Sequence, residues 1–331
     1  MNSSFLAAGR LLAVAVALVM FVPAAARASE AAGWPNRLIK LVVPFPAGSM
    51  TDRIGRVIAQ QLGASFGQSV VVENRPGAGA TIGTDYVAKA DPDGYTFLLG
   101  ANAPLAVNVA FMKLPYDPVK SFEPVSLVAT VPNVLLVGPK VQATTLRDLL
   151  ALARANPGKL TYTSAGIGTV GHLGMEMLGS MADAQFLHIP AKGPVQALQD
   201  VAGGHVDILV DSIALSAPLI RDGRLRGLAL TGTERSPAMP DLPTVSEAGV
   251  PRYELLLWFA LFAPAGTPQP IVDKVHAATA RAFADPAVRD PFTRDGVNIV
   301  AGTPQELAAF QRSEIDKFRK LISTLNLNLG Q

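Results

Sequence analysis

The sequence contains no cysteine, and only 16% of its residues are charged. The lack of cysteine excludes a disulfide framework, a thiolate metal site and a cysteine nucleophile. The G-x-x-x-x-G-K-[ST] phosphate loop is also absent. Gly63–Gly67 has the G-x-S-x-G spacing, but it lies at the end of a predicted helix and does not follow a strand, so it is not a nucleophile elbow. The four histidines show no H-E-x-x-H spacing, which argues against a metal site. The sequence therefore predicts neither a metal nor a cofactor.

The chain also lacks a large excess of charge of either sign. It has 28 Lys and Arg residues against 26 Asp and Glu residues. Two of the basic residues, Arg10 and Arg27, fall within the first 28 residues, so the remainder is close to neutral. No basic stripe of the kind that binds nucleic acid is present. We therefore expect no nucleic-acid partner.

One apolar run stands out, Leu11–Val22, and it is too short to span a bilayer comfortably. It follows Arg10 and precedes Ala26-Arg27-Ala28, which is an A-x-A cleavage pattern. Together these features predict a cleaved signal peptide over residues 1–28 and an exported, soluble protein. An uncleaved membrane anchor is the alternative interpretation. Export without disulfides is more typical of a bacterial periplasm than of a eukaryotic secreted fold.

Strand-like and helix-like segments alternate along the rest of the chain, which is typical of an α/β fold. A mature chain of about 300 residues corresponds to roughly two domains. The alternation predicts parallel sheets covered by helices on both faces. A strand over Val125–Val137 is expected to be interrupted at Pro132-Asn133. Thr144 is expected to cap the helix that follows.

The stretch Leu38–Arg56 combines a buried strand, a Pro/Gly loop and the start of a helix. The strand is predicted over Leu38–Val43 and the loop over Pro44–Met50, with Thr51 or Asp52 as the helix cap. A loop between a strand end and a helix N-terminus presents free backbone N–H groups and the positive end of the helix dipole. We therefore expect this first glycine loop to bind a small carboxylate.

A similar stretch begins at the strand Leu160–Ser164, which leads into a second glycine loop, Ala165–Thr169, and then into a helix. The sequence from Gly166 to Gly171 also matches G-x-G-x-x-G, the spacing of a dinucleotide-binding loop. The next strand, however, ends without the acidic residue that would bind a ribose. In open α/β sheets, ligands bind outside the carboxyl ends of the strands. Two such domains facing each other would enclose a cleft with one glycine loop on each side.

Several side chains near these loops have two interpretations. His172 either orients the second glycine loop by a hydrogen bond, which we favour slightly, or contacts the ligand. Asp52 is favoured as a helix-stabilising acid over a pocket acid that binds a ligand ammonium. Lys192 pairs either with Asp211 or with the ligand. The alternative function is a secreted hydrolase that uses Ser164 and His172, with Asp211 as the third member of a triad.

Eight motifs occur in an order that is typical of one family and cover essentially the whole mature chain. They are PFPAGSMTD (Pro44–Asp52), ENRPGAGATIG (Glu73–Gly83), DPDGYTFLLG (Asp91–Gly100), YTSAGIGTVGHL (Tyr162–Leu173), HIPAKG (His188–Gly193), GGHVDILVD (Gly203–Asp211), RSPAMPDLPTVSEAGVP (Arg235–Pro251) and LFAPAGTP (Leu261–Pro268). With these motifs the chain resembles the Bug family, the extracytoplasmic solute-binding receptors of tripartite tricarboxylate transporters.

The resemblance implies a type II periplasmic-binding-protein fold with a ligand cleft between two domains. Residues 29–132 and 254–331 would form the first domain, and residues 133–253 would form the second, inserted domain. The protein would be a monomeric receptor that closes on a small carboxylate. It would deliver that carboxylate to the membrane permease subunits of the transporter, without catalysis.

By motif, the family's pocket maps onto both glycine loops and onto a few further positions. The implied ligand-binding residues are Phe45, Ala47, Gly48, Ser49, Met50, Thr51, Asp52, Ala101, Asn102, Ser164, Ala165, Gly166, Gly168, Thr169, His172, Lys192, Gly193 and Asp211. Two departures from the family bear on ligand choice. Ser49 and Met50 follow Gly48 where the family usually has a glycine pair, and Ala191 replaces an aromatic residue before Lys192.

Overall fold

The structure is a computed structural model, and it describes residues 33–325. The predicted signal peptide, residues 1–28, lies outside the described residues. Across residues 33–325, no helix combines the length and the apolar character that crossing a membrane requires.

Strands and helices alternate along the described chain, as the sequence predicts. The strands are β1 (Ile39–Val43), β2 (Val70–Asn74), β3 (Thr96–Ala101), β4 (Phe122–Val137), β5 (Thr161–Ser164), β6 (Leu187–Pro190), β7 (Ile208–Ser212), β8 (Arg226–Leu230), β9 (Leu256–Pro264) and β10 (Asn298–Ile299). The longer helices are α1 (Met50–Phe66), α2 (Thr81–Ala88), α3 (Leu146–Ala155), α4 (Val170–Ala182), α5 (Pro194–Ala202), α6 (Ile213–Arg221), α7 (Gln269–Ala284), α8 (Pro286–Arg294) and α9 (Pro304–Leu325). Two short helical turns, Ala103–Val107 and Asn108–Ala110, follow β3.

The strands form one hydrogen-bonded path in the order β2-β1-β3-β9-β4-β7-β5-β6, with β10 and β8 also paired to β4. Strand β1 lies parallel to β2 and β3, and β5 lies parallel to β6 and β7. The central strands β4 and β9 run antiparallel to their neighbours. The prediction of parallel sheets was therefore wrong for the centre. There the chain passes between the two halves on extended strands, without the crossover helices that parallel pairing needs.

Strand β4 runs without interruption through both halves of the sheet. Its residues up to Pro132 pair with β9, where Pro132 lies opposite Leu256. Its residues from Asn133 onward pair with β7, where Asn133 lies opposite Ser212. The predicted interruption is absent because proline is compatible with an extended backbone and lacks only the N–H group. It is therefore tolerated where the strand changes partner.

Helix α3 begins with a capping box. The Thr145 hydroxyl accepts a hydrogen bond from the Asp148 N–H, and the Asp148 carboxylate accepts one from the Thr145 N–H. The predicted cap, Thr144, lies one residue too early, although its hydroxyl also bonds to Asp148. Both threonines are chemically able to cap, so the choice between them depends on the backbone path into the helix.

The apolar core is continuous across the two halves of the sheet. One cluster of buried side chains includes Leu98 on β3, Leu135 on β4 and Tyr162 on β5. Trp258 on β9 is fully buried in the same cluster, and its indole N–H donates to Glu314 on α9. This core fixes the carboxyl ends of β1 and β5, from which the two glycine loops leave the sheet.

Candidate ligand-binding site

The first glycine loop connects β1 to α1. Helix α1 begins at Met50, and its N-cap is Ser49, whose hydroxyl accepts a hydrogen bond from the Asp52 N–H at 3.2 Å. Ser49 has the extended backbone of a cap residue, with φ −66° and ψ 163°. The predicted caps, Thr51 and Asp52, both lie inside the helix. The serine that departs from the family's glycine pair is thus the residue that caps this helix.

Asp52 is the acid of the first helical turn, and both of its carboxylate oxygens have protein partners. Oδ2 accepts hydrogen bonds from the Gly48 N–H and from Arg56 Nε, both at 2.9 Å, and Oδ1 accepts one from Asn74 Nδ2 at 3.0 Å. Burial opposes ionisation, but the bonds from Arg56, Gly48 and Asn74 outweigh it and hold the pKa of Asp52 below its usual value. Asp52 therefore has the helix-stabilising position that the sequence analysis favoured.

The first glycine loop keeps fewer free donors than expected. The Gly48 N–H, which was expected to face a ligand, donates to Asp52. The Ser49 N–H bonds back to the loop's own backbone at 3.2 Å. Within residues 33–325, the N–H groups of Met50 and Thr51 have no hydrogen-bond acceptor, as is usual in a first helical turn. Any anion at this helix start would lie close to the Asp52 carboxylate.

The shape of the first loop depends on one glycine. Gly48 has φ +83°, a left-handed conformation that glycine adopts without strain. A Cβ placed on it would meet no atom within 4 Å, so the requirement is conformational and not steric. Gly48 and Ala47 are exposed, and the Phe45 carbonyl oxygen accepts a hydrogen bond from Asn74 Nδ2 at 3.1 Å. The loop is thus an exposed turn that is braced from β2.

The second glycine loop connects β5 to α4. Its N-cap residue is Thr169, but the Thr169 hydroxyl donates to the Gly166 carbonyl oxygen at 2.7 Å and makes no bond to the helix. In the described part of the chain, the N–H groups of Val170 and Gly171 have no hydrogen-bond acceptor. The same holds for the His172 N–H, so this helix N-terminus presents three free donors and the positive end of its dipole, the combination that binds an anion.

Three glycines shape the second loop for two different reasons. Gly166 has φ +136° and Gly168 has φ +78°, conformations that other residues rarely adopt. Gly171 lies on α4, where a Cβ would be 2.6 Å from the Val210 carbonyl oxygen. Gly171 is thus required because α4 packs closely against β7. Loop shape and close packing account for the G-x-G-x-x-G spacing without a nucleotide.

Two histidines brace the second loop. The Gly168 N–H donates to His172 Nδ1 at 3.2 Å, which confirms the prediction that His172 orients the loop. Ser164 Oγ lies 2.8 Å from His188 Nε2 and 3.0 Å from the Gly166 carbonyl oxygen. The Ser164–His172 pair of the hydrolase alternative is therefore not formed, because β6 brings His188 to the hydroxyl instead. Ser164 is also fully buried, unlike an accessible nucleophile.

His172 and His188 form a stack with Tyr162. The ring centroids of the two histidines are 4.3 Å apart, and those of Tyr162 and His188 are 4.6 Å apart. The Tyr162 hydroxyl bonds to Glu176 on α4. Burial lowers the pKa of His172 to about 4, and burial together with the neighbouring His172 lowers the pKa of His188 to about 4. Both rings are neutral near neutral pH, so each has a nitrogen that accepts hydrogen bonds.

Sequence reasoning missed His188, because its partner His172 lies on a different element. Tyr162 and His188 lie opposite each other in the parallel pair β5–β6, and α4 brings His172 onto the same rings. The available signal was a polar residue at an inward position of a predicted strand, next to a buried tyrosine on the preceding strand. Strand order was needed to use that signal.

Other predicted site residues lie at the ends of strands. Ala101 ends β3 and Asn102 follows it; both are buried, and Asn102 Nδ2 has no partner within residues 33–325. Asp211, near the end of β7, accepts a hydrogen bond from the Ser212 N–H at 2.7 Å through one oxygen. Its other oxygen is buried without a partner among the described residues, and burial raises the pKa of Asp211 to about 6.

Lys192 and Gly193 follow β6 at the start of α5. Lys192 is exposed, and its backbone N–H donates to Gln196 Oε1 at 3.2 Å. The described contacts of the Asp211 carboxylate do not include Lys192, so of the two alternatives for Lys192 the pairing with Asp211 is not seen. Gly193 is the N-cap of α5, with φ +150° and no side chain bonded to the helix start.

The structure thus gathers the predicted residues into two groups. One group lies at the carboxyl ends of β1 and β3, and the other lies at the carboxyl ends of β5, β6 and β7, which share one edge because these strands are parallel. A direct approach links the two halves: a Cβ on Gly168 would lie 3.6 Å from Phe111 Cζ. The second loop therefore lies against the short helical turns that follow β3.

A two-lobed mixed α/β fold, with glycine loops at strand ends in both halves, defines the class of two-domain solute-binding proteins. Residues 54–327 match the family TctC, described as the tripartite tricarboxylate transporter family receptor. The chain belongs to this family. It is similar to protein BugT of Bordetella pertussis (strain Tohama I), with 38% identity over 315 residues that cover 95% of this chain and 96% of BugT.

Two similar proteins have been solved with carboxylates. The structure "R. palustris Rpa4515 with adipate" is 37% identical with a TM-score of 0.76, and the match covers 88% of this chain and 98% of that chain. MatC (Rpa3494) from Rhodopseudomonas palustris with bound malate is 33% identical with a TM-score of 0.72, covering 87% and 100% of the two chains. These matches confirm the family resemblance and the two-domain fold that the motifs imply. The family and these neighbours are solute-binding receptors and not enzymes.

Proposed function

We propose that this protein is a periplasmic receptor that captures a small carboxylate and delivers it to the membrane subunits of a tripartite tricarboxylate transporter. The observation that carries the proposal is the uncapped N-terminus of α4, where Val170 and Gly171 follow a glycine loop with free N–H groups. Preformed donors of this kind bind a carboxylate without an arginine. Family membership, and the adipate and malate bound by similar proteins, support the same class of ligand.

In this proposal, residues 29–132 and 254–331 form one domain and residues 133–253 form the other. The partner change of β4 at Pro132-Asn133 supports a hinge at that boundary. The second glycine loop binds the carboxylate, and the first loop covers it when the domains close. The ligand contacts both loops only in the closed state, so it shifts the equilibrium from open to closed.

The receptor acts in the periplasm as a monomer, exported by the signal peptide over residues 1–28. Its partners are the carboxylate and the permease subunits. In this proposal capture uses no serine nucleophile, since the hydroxyl of Ser164 is buried and bonded to His188.

A thermal-shift and calorimetric screen tests the capture step. The purified protein is mixed with adipate, malate, citrate, benzoate and glutamate, and with adipamide as an uncharged control. We expect at least one carboxylate to raise the melting temperature, because a ligand at 100 times its Kd adds about 2.7 kcal/mol to the free energy of unfolding. Binding of adipamide as tight as that of adipate, or no binding of any carboxylate, would contradict the proposal.

Delivery and the absence of catalysis need separate measurements. NMR spectra of the ligand mixtures should show no new product after prolonged incubation, whereas a hydrolase would convert a substrate. Proteoliposomes that contain the membrane subunits should take up the ligand only when the receptor is added. Uptake that is independent of the receptor would contradict the delivery role.

A further inference from the structure

We infer that His188 is a positioning residue, which holds the second glycine loop in its carboxylate-binding shape by acting through Ser164. The inference rests on the proposed function, because it concerns the loop proposed to bind the ligand. His188 itself lies on β6, outside the loop, and its ring stacks on Tyr162 and lies at a tilt against His172.

Ser164 connects His188 to the loop. Its Oγ lies 2.8 Å from His188 Nε2, 3.0 Å from the Gly166 carbonyl oxygen and 3.3 Å from the Gly166 nitrogen, whose N–H donates to it. One hydroxyl therefore contacts both polar backbone groups of Gly166. His188 fixes the direction of that hydroxyl, because a serine side chain has one proton and rotates freely when it has no fixed partner. The conformation of Gly166, with φ +136°, depends on this arrangement.

His172 supplies the second point of attachment. Its Nδ1 accepts the Gly168 N–H at 3.2 Å, and its ring lies against that of His188. Two adjacent imidazoles thus hold two glycines, one on each side of Ile167. The Ile167 side chain is 54% exposed, so packing of that side chain contributes little to the order of the loop. The imidazole pair restrains the loop conformation through the Gly168 N–H and through Ser164, in addition to the bond from the Thr169 hydroxyl to the Gly166 carbonyl oxygen.

The titratable groups that face the imidazole pair are Tyr162 from β5 and Glu176 from α4, and they are bonded to each other. Near neutral pH both histidines are uncharged. Protonation of His172 places a proton on Nδ1 and removes the acceptor of the Gly168 N–H. Protonation of His188 makes both of its ring nitrogens donors and places a charge beside His172. Acid should therefore loosen the loop where the Gly168 N–H is bonded to His172.

Hydrogen exchange at the Gly166 and Gly168 amides, measured by NMR, tests the inference without a ligand. Glutamine at position 188 can place its amide nitrogen near the position of imidazole Nε2, whereas asparagine is too short. We expect His188→Asn to reduce protection of the two amides at least tenfold, and His188→Gln to stay within threefold of the wild type. The control is His205→Gln, which changes an exposed histidine and should have no effect.

Wild-type protection in His188→Asn would overturn the inference. An equal loss in both variants would overturn it too, because that result assigns the effect to ring packing and not to the bond with Ser164. If the variants fail to fold, the wild-type pH titration decides. The Gly166 amide shift should follow the titration of the His188 ring, and independent titrations would overturn the inference.

Binding of adipate and malate provides the functional readout. We expect His188→Asn to weaken binding of the carboxylate that the wild type prefers at least tenfold, and His188→Gln to change it less than threefold. Unchanged binding in His188→Asn would overturn the inference while the proposed function stands. If the wild type binds no carboxylate in the full screen, the proposed function fails, and the amide measurements still decide the role of His188.

Discussion

The two glycine loops both connect a strand to a helix, but the N-terminus of the helix is capped by a side chain in the first loop and uncapped in the second. Both leave a strand that lies in a parallel group, and both enter a helix. In the first loop, Ser49 caps α1 and the Asp52 carboxylate takes up the Gly48 N–H. In the second loop, Thr169 bonds backward to Gly166 and leaves the start of α4 free. An anion therefore finds open donors at the second loop and a carboxylate already present at the first.

This difference shows what a strand–glycine–helix pattern does and does not specify. The pattern predicts where N–H donors collect, but the side chains of the next few residues decide whether those donors remain free. In the first loop, Asp52 takes up the Gly48 N–H and Ser49 takes up the Asp52 N–H, so the Met50 and Thr51 N–H groups that stay free lie close to a carboxylate. We therefore assign the main carboxylate contact to the second loop and a covering role to the first.

The largest expected effect comes from placing valine at the left-handed glycines. Gly166→Val should weaken carboxylate binding at least 100-fold, since two hydrogen bonds to a charged group contribute roughly 1.5–3 kcal/mol each, or about 3 kcal/mol together at the lower limit. Gly48→Val should weaken it only about tenfold, as expected for loss of a covering wall. Calorimetric titration with the preferred carboxylate measures both losses. Gly223→Val is the control, because Gly223 also has positive φ and open space around it. A greater loss in Gly48→Val than in Gly166→Val would reverse the comparison.

Acidification should loosen the second loop before the first. The pKa values of His172 and His188 are lowered from 6.5 to about 4. A disordered loop would therefore bind more protons than the ordered one in that interval, and order is lost as the pH falls from 6.5 towards 4. Each unit of pKa difference corresponds to about 1.4 kcal/mol.

The first loop should respond at a lower pH. The pKa of Asp52 is held below 3.8, so its contribution is complete above that value and is lost only as the pH falls further. Hydrogen exchange at Gly168 and Gly48, followed from pH 7 to pH 4, compares the two loops directly. Earlier loss of protection at Gly48 would contradict the assignment.

The two substitutions with the smallest expected effects distinguish a side chain that caps a helix from one that shapes a loop. Ser49→Ala should lower the free energy of unfolding by about 1 kcal/mol, the usual value of an N-cap bond, and change ligand affinity less than twofold. Thr169→Ala should have the opposite profile, with little effect on unfolding and a loss of affinity of about threefold, because its hydroxyl bonds to Gly166 and not to the helix. Urea unfolding and calorimetric titration measure the two quantities. Identical profiles for the two variants would argue against the distinction.

Features set by local sequence could be predicted well. The strand, loop and helix around each glycine loop follow from apolar spacing and from Pro and Gly, which act within a few residues. The bond between His172 and Gly168 was predictable because both residues lie within one helical turn of the loop. Caps were less certain, since Ser49, Thr51 and Asp52 are all good capping residues and the backbone path selects one of them.

Features set by strand order could not be predicted in the same way. His188 meets Ser164 only because β6 lies beside β5, and their sequence separation does not reveal that pairing. Pro132 suggested an interruption of β4, but at this point the strand continues and changes its pairing partner from β9 to β7. That change is a tertiary event, which the local sequence does not reveal. The mixed direction of the central strands was missed for the same reason, since an apolar run carries no information on strand direction.

The continuity of β4 also constrains how the chain can vary. Side chains alternate between the two faces of a strand, so a strand shared by both halves fixes their phase relative to each other. Inserting a single residue after Asn133 would turn Leu135 away from the core that it shares with Tyr162. Chimaeras between relatives must therefore keep the number of residues in β4, or change it by an even number, so that each side chain stays on its face of the sheet. A change in length within residues 234–249, which contain no helix or strand, does not alter β4.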